Sequence, residues 1–369
     1  MKHHKLFALL PAFALLFTLA ACEIGADDPT GGPSEEATAA VSPTEAPSEE
    51  PANTSGLEPA IRLAVLSGPT GIGAAKLLDS ADNNPISLRA SYEYAIYSDN
   101  SELVAGLTTG EIDIATMASN VAVNLYNKSR DIKIIAAGTL GVLHILEGKG
   151  GEEIDSIADL AGKTIYSAGQ GANPEYILRH LLQKNELEVV TDEDAVLDST
   201  GKSVKVVFRD AGEIQAGLLN EDSDIRYAML PVPAATAAIA KGEGKIRAAI
   251  DVTDAWNELE NGQLIMTAVV ARAGFVEEHP ELVDAFLDDY KESIDYVNNN
   301  LDAAAELVAG YGLTPSAAIA KKAIPQCHLV FLSGDNMMSA LSDYYLTLYA
   351  IDKASVGGSV PDDGIYYTR

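Results

Sequence analysis

Residues 61–78 read IRLAVLSGPTGIGAAKLL. An apolar run from Ile61 to Leu66 ends in Ser67-Gly68-Pro69-Thr70-Gly71, and a small-residue segment with helical spacing follows from Ile72 to Leu78. That order predicts strand, tight turn, helix, with the helix N-terminus at the carboxyl end of a buried strand. Backbone N–H groups collect at such a corner and can hold a polar or anionic ligand group. A phosphate loop is excluded, because Ala74-Ala75 stand where Lys and Ser/Thr are needed, and the dinucleotide pattern fails at Lys76.

The same strand–helix alternation continues outward from this unit. Ser91–Tyr97 is a strand, 99–109 a helix, Glu111–Met117 a strand, and Ala118-Ser119-Asn120 leads into a helix ending near Tyr126. A long apolar run, Ile132 to Leu146, follows. The polar, Gly-rich stretch 147–151 then reads as a hinge leaving the first unit. Beyond it lie strands at 163–168, 203–209, 225–230 and 246–252, with helices at 175–185, 212–219 and 234–241. The acidic stretch 186–202 reads as loop or irregular helix. Residues 263–271, with LIMTAVVA at their heart, form a strand that returns to the first unit. Helices at 279–298, 301–310, 315–324 and 334–350 and an ordered tail complete the chain. Repeated strand–helix units imply parallel sheets with right-handed crossovers. Two lobes joined by two crossings make a cleft, with the carboxyl ends of the strands facing it.

The chain has 369 residues and a formal net charge of −29, which argues against nucleic acid as a partner. Lys2 and Lys5, an apolar run from Leu6 to Leu16, and Leu19-Ala20-Ala21-Cys22 read as a signal peptide at 1–21. Its end resembles the lipobox of bacterial lipoproteins, in which the cysteine becomes residue one and carries the acyl chains. Residues 22–56 therefore read as a lipidated Cys22 and an acidic tether, since 23–56 hold eight acids and no base. Beyond Cys22 the only cysteine is Cys327, so a disulfide framework and a thiolate metal site are ruled out. His144, His180, His279 and His328 share no i, i+4 spacing that would suggest a metal pair.

On Gly68-Pro69-Thr70-Gly71, GEIDIATMASNVAVNLYN (110–127), SIADLAGKTIYSAGQGANPEYILRHLL (156–182) and AMLPVPAATAA (228–238), the chain resembles the substrate-binding proteins of bacterial ABC importers. The likeness is to the nitrate, sulfonate, taurine and pyrimidine-precursor branch. It implies an α/β, two-lobed, periplasmic-binding-protein-like type II fold with two hinge crossovers and a helical C-terminal cover. The lobes would be 57–147 and 148–252, with 253–369 returning to the first. It implies a monomer without cofactor or metal, held to the extracytoplasmic face of the membrane through Cys22, that hands a small-molecule ligand to an importer permease. Carried over by position, the ligand would be lined by Ser67, Gly68 and Thr70, and by Ser119 and Asn120. In the other lobe it would meet Gly169, Gln170, Gly171, Ala172 and Asn173, then Pro231, Val232 and Thr236. Those turns carry small, hydroxyl or amide side chains that let backbone donors approach a ligand. They contain no Lys or Arg, with Lys76 and Arg179 lying further into their helices. The tyrosines of 92–97, with Tyr166 and Tyr176, either pack the sheets or offer a stacking surface for a planar ring. The competing classes are an enzyme on the same fold, similar to chorismate dehydratase or to a pyrimidine synthase, and a lipoprotein sensor. The cysteine motif of the synthase is missing here.

Overall fold

The computed structural model describes residues 57–197, 201–260 and 262–368. The signal, Cys22 and the tether lie outside the described residues. In chain order the strands are β1 Leu57–Leu66, β2 Ala90–Tyr97, β3 Ile114–Ala118 and β4 Ile132–Thr139, then β5 Leu143–Glu147, β6 Thr164–Ser167, β7 Glu188–Val190, β8 Ser203–Phe208, β9 Tyr227–Pro231 and β10 Arg247–Asp251. β11 Thr267–Arg272 and β12 Leu329–Leu332 follow. They form two six-stranded sheets, ordered β12-β4-β11-β3-β1-β2 and β10-β5-β9-β6-β8-β7.

β1 is parallel to both neighbours, with Leu66 opposite Tyr97 and Val65 opposite Thr116, so the turns after β1, β2 and β3 emerge at one edge. Ile61, Leu63, Ala64, Val65 and Leu66 are all buried, as expected for a strand covered on both faces. In the second sheet β6 is likewise parallel to β8 and β9. The sheets are mixed rather than parallel, contrary to the expectation from strand–helix alternation. β11 runs antiparallel to β3 and β4, and β5 antiparallel to β9 and β10. Each of these strands enters its sheet from the other lobe, so it arrives running against the strands already there.

The first crossing lies at 140–142, earlier than the Gly-rich stretch 147–151. β5 already belongs to the second sheet, and Gly148 donates its N–H to Arg226 O at 2.7 Å, which ties that stretch to the sheet. At the true crossing a Cβ on Gly141 would meet Thr253 Oγ1 at 2.1 Å, so the outgoing and returning segments pack directly. His328, at φ 44°, braces the same point, with Nδ1 2.8 Å from Gly141 O. The stretch expected to be loop also carries a short strand, β7, which pairs with β8 at the sheet edge.

The helix Pro280–Asn299 buries Leu282, Val283, Phe286, Leu287, Tyr290, Ile294 and Val297 at three- and four-residue spacing. A fully buried Leu or Phe of this kind contributes about 1.5–3 kcal/mol. The same helix fixes the opening turn: Ser293 Oγ donates to Gly73 O at 2.7 Å and accepts from Leu77 N at 3.0 Å. The tail forms the expected cover, with Asn127 Nδ2 donating to Val356 O and Ser359 O.

Asp113, with a side chain 3% exposed, ties β1 to the end of β11. It accepts from Arg62 Nε at 2.8 Å and from Arg272 Nη2 at 2.8 Å. Burial alone would raise its pKa, but the bonds from Arg62 and Arg272 together hold the carboxyl below its ordinary range. Its stabilising share is complete above the unfolded-state value of about 3.9 and is lost as pH falls through the lower native value. Asp113→Asn should cost roughly 3 kcal/mol in urea denaturation at pH 7, and the gap to wild type should shrink as the titration approaches pH 3.

Candidate functional site

Four strand-to-helix turns, after β1, β3, β6 and β9, carry the residues that the sequence places against a ligand. At the first, Gly68 sits at φ 80° with open space where a Cβ would be, so a backbone sign rather than crowding demands glycine there. Gly71 is different: its Cβ would lie 2.4 Å from Leu66 O. Ser67 donates its N–H to Tyr97 O at 2.8 Å, and its side chain is half-buried beside half-buried Gly68, with Thr70 buried below. At the third turn, Gly169 and Gly171 at φ 83° and 74° hold Gln170 exposed at the tip. Gly171 N donates to Glu175 Oε2 at 2.8 Å. At the fourth, Pro231 is half-buried, Val232 N donates to Val142 O at 2.8 Å, and Thr236 is buried within the helix Val232–Lys241.

The second turn meets the third directly. Asn120 accepts from Asn173 N at 3.1 Å through Oδ1 and donates to Gly171 O at 3.2 Å through Nδ2. Asn173 Nδ2 donates to Ser119 Oγ at 3.0 Å and Met266 O at 3.3 Å, while its Oδ1 accepts from the Tyr344 hydroxyl at 3.2 Å. Ser119 also accepts from Tyr345 through its carbonyl at 2.9 Å and donates through its hydroxyl to Ile265 O. Ser119, Asn120 and Asn173 are 0–1% exposed. The sequence places all three against a ligand. The structure places them against one another, because a buried amide must find partners.

Of the two roles open to the tyrosines, packing the fold is the one their bonds show. Tyr92 donates to Asp289 at 2.8 Å, Tyr94 to Asp82 at 2.6 Å, and buried Tyr166 to Asp224 at 2.9 Å. These rings pack the fold, as does buried Tyr176. Tyr97, half-buried beside Ser67, is the one of the strand that stays near the first turn. The nearby cations are already paired: Lys76 with Asp79 and Arg179 with Glu175, both at 2.7 Å. Cys327 is buried and its thiol pushed up to about 12, so it offers no thiolate at neutral pH. Sequence reading missed Glu175, Tyr344 and Tyr345; Glu175 is four residues from Gly171, while the tyrosines act across the whole chain and leave no local signal.

A family model described as NMT1/THI5 like matches residues 91–304, more than half of the chain. The chain belongs to the NMT1/THI5-like family. Solved structures share the fold of this NMT1/THI5-like chain. An ABC transporter protein from Parabacteroides distasonis is 23% identical with a TM-score of 0.67, covering 84% of this chain and 99% of its own. The periplasmic aliphatic sulphonate binding protein SsuA from Escherichia coli is 13% identical, TM-score 0.64, with 84% and 92% covered. The ligand binding component of an ABC-type import system from Staphylococcus aureus is 15% identical, TM-score 0.61, with 84% and 97% covered. No curated protein matches the sequence significantly. The fold is therefore the two-lobed, periplasmic-binding-protein α/β architecture expected from the sequence.

Asn173 and Gln170 separate by stability. Asn173→Ala strands the Tyr344 hydroxyl and takes a donor from Ser119 Oγ, and should lower unfolding free energy by about 1–3 kcal/mol. Gln170→Ala, at an exposed tip, should stay within about 0.5 kcal/mol of wild type. Paired urea titrations measure both.

Proposed function

We propose that this chain is an extracytoplasmic solute-binding lipoprotein. It captures a small polar or planar molecule between the lobes and delivers it to the permease of an ABC importer. The observation that carries this reading is the meeting of the two sheets' carboxyl ends, where the turns after β3 and β6 touch. Membership of the NMT1/THI5-like family supports it. The ligand-facing groups are then Ser67, Gly68 and Thr70 in one lobe, with Gly169, Gln170, Gly171, Pro231 and Thr236 in the other. Ser119, Asn120 and Asn173 support them from behind.

The ligand is neutral or weakly anionic, with a pyrimidine-like ring as one option. The four turns contain no basic side chain, so recognition rests on amide, hydroxyl and backbone groups. Cys22 carries the lipid, the acidic segment after it serves as tether, and the protein works as a monomer on the outer face of the membrane. Binding, not turnover, is the activity.

A thermal-shift screen of the mature protein should find a responder among sulfonates, nitrate, pyrimidines and vitamins. Saturation at 100 times Kd stabilises the fold by about 2.7 kcal/mol. Mass spectrometry should recover that ligand unchanged; conversion would move the case to an enzyme. Gln170→Ala should weaken its affinity, and Cys22→Ser should release the protein from the membrane fraction, read by immunoblot.

A further inference from the structure

We propose that Glu175 is a built-in anion that fixes the charge the cleft accepts: its carboxylate occupies the third turn, so that the second lobe refuses an oxyanion and the solute is uncharged. The inference rests on the solute-binding reading above and narrows its ligand, neutral or weakly anionic, to the uncharged class.

A helix leaves its first N–H groups without partners inside the helix, and these are the groups that hold a ligand's negative charge. In the second lobe they are spent or missing. At the helix Asn173–Lys184, Ala172 N donates to Gly169 O and Glu175 N to Ala172 O, both at 3.1 Å, and Pro174 has no N–H. Only Asn173 N finds its partner in the other lobe, at Asn120. Just ahead of the helix, Gly171 N donates to the Glu175 carboxylate at 2.8 Å. The helix Val232–Lys241 is barer still: Pro231 and Pro233 carry no N–H, and Val232 N is taken by Val142 O at 2.8 Å. The bonds of Gly171, Ala172 and Glu175 lie inside one lobe, so they travel with it as the lobes part and close.

Glu175 has a side chain only 12% exposed, and its second oxygen meets Arg179 Nη2 at 2.7 Å, one helical turn on. The carboxylate thus joins the turn to the cation that follows it and complements the positive end of the helix. An incoming sulfonate or nitrate would compete with a carboxylate tethered four residues from the N–H it occupies, at high effective concentration. It would then lie beside that carboxylate as a like charge in a poorly hydrated place. The chain's 54 acids against 25 Lys and Arg repel the same ligand at longer range. An uncharged molecule meets neither cost. Gln170, Ser67 and Thr70 can each donate and accept, which suits a compound that carries N–H and C=O groups together. Glu175 is therefore a specificity-determining residue, acting through its charge and through the turn it holds.

The test is isothermal titration calorimetry of the full chain, refolded from urea to strip bound solutes, with methanesulfonate and nitrate as probes. Wild type, Glu175→Gln and Asp222→Asn are compared. Asp222 is exposed on the loop ahead of β9, at the far edge of the sheet from the turns, so its variant makes the same change in net charge at a distance. Wild type and Asp222→Asn should bind either oxyanion with Kd above about 1 mM. Glu175→Gln keeps an acceptor for Gly171 N, removes the charge and frees Arg179, and should bind at least one of the two probes about tenfold tighter. A residue with a merely structural role would weaken binding when replaced, whereas this replacement creates it. Glu175→Ala should gain in the same direction and takes the place of the glutamine variant if that fails to fold. Micromolar oxyanion binding by wild type would overturn the charge rule and leave a solute-binding protein in place. So would a Glu175→Gln affinity no better than that of Asp222→Asn. A ligand screen without a responder, in wild type and variants alike, removes the binding reading as well.

Discussion

The first sheet cannot be completed until the chain has passed through the second and come back. β11 lies between β3 and β4 and hydrogen-bonds to both. Without it the two halves of that sheet, β1-β2-β3 and β4-β12, share no ladder. β5 plays the same part in the other lobe, between β9 and β10. Each lobe therefore holds a strand delivered by the other, and every contact at the lobe junction depends on that exchange. Pairing across so much intervening chain is slow to form, because loop closure precedes its reward.

Charge is distributed to serve this frame. With 54 acids against 25 Lys and Arg, cations are scarce. Several are placed on buried carboxylates that join distant segments. Arg62 and Arg272 converge on Asp113, and Arg89 meets Asp289, which is 1% exposed at its side chain and also accepts from Tyr92. Breaking such a pair leaves an uncompensated buried charge, so the first site holds β1 to β11, and the second the sheet to its covering helix, more firmly than surface pairs would. Other acids, such as Asp222 and Glu243, are exposed to solvent, where like charges discourage association.

Local pattern revealed much of this architecture and failed where partner choice is global. The unit at 61–78 was legible because strand, turn glycine and helical spacing follow one another within eighteen residues. The return of LIMTAVVA was legible from its isolation among helices. Ile132–Leu146 was not divided correctly: its two apolar runs look alike, and nothing nearby says that they join different sheets. The glycines of 148–151 drew the hinge because composition suggests freedom, whereas Gly148 is fixed by Arg226. In the candidate site, Ser119, Asn120 and Asn173 were legible as turn residues, but their bonds to one another were not. Tyr344 is 171 residues from the asparagine it bonds, and no periodicity encodes that meeting.

The turn at Gly169-Gln170-Gly171 separates two tasks that adjacent residues usually share. Its backbone is held on both sides, by the Glu175 carboxylate on Gly171 N and by Asn120 on Gly171 O, while the side chain at its tip packs against nothing that the fold needs. Position 170 can therefore change chemistry with little penalty in folding. A laboratory library that varies this one codon would inherit the scaffold intact and could begin a test of the proposed ligand contact.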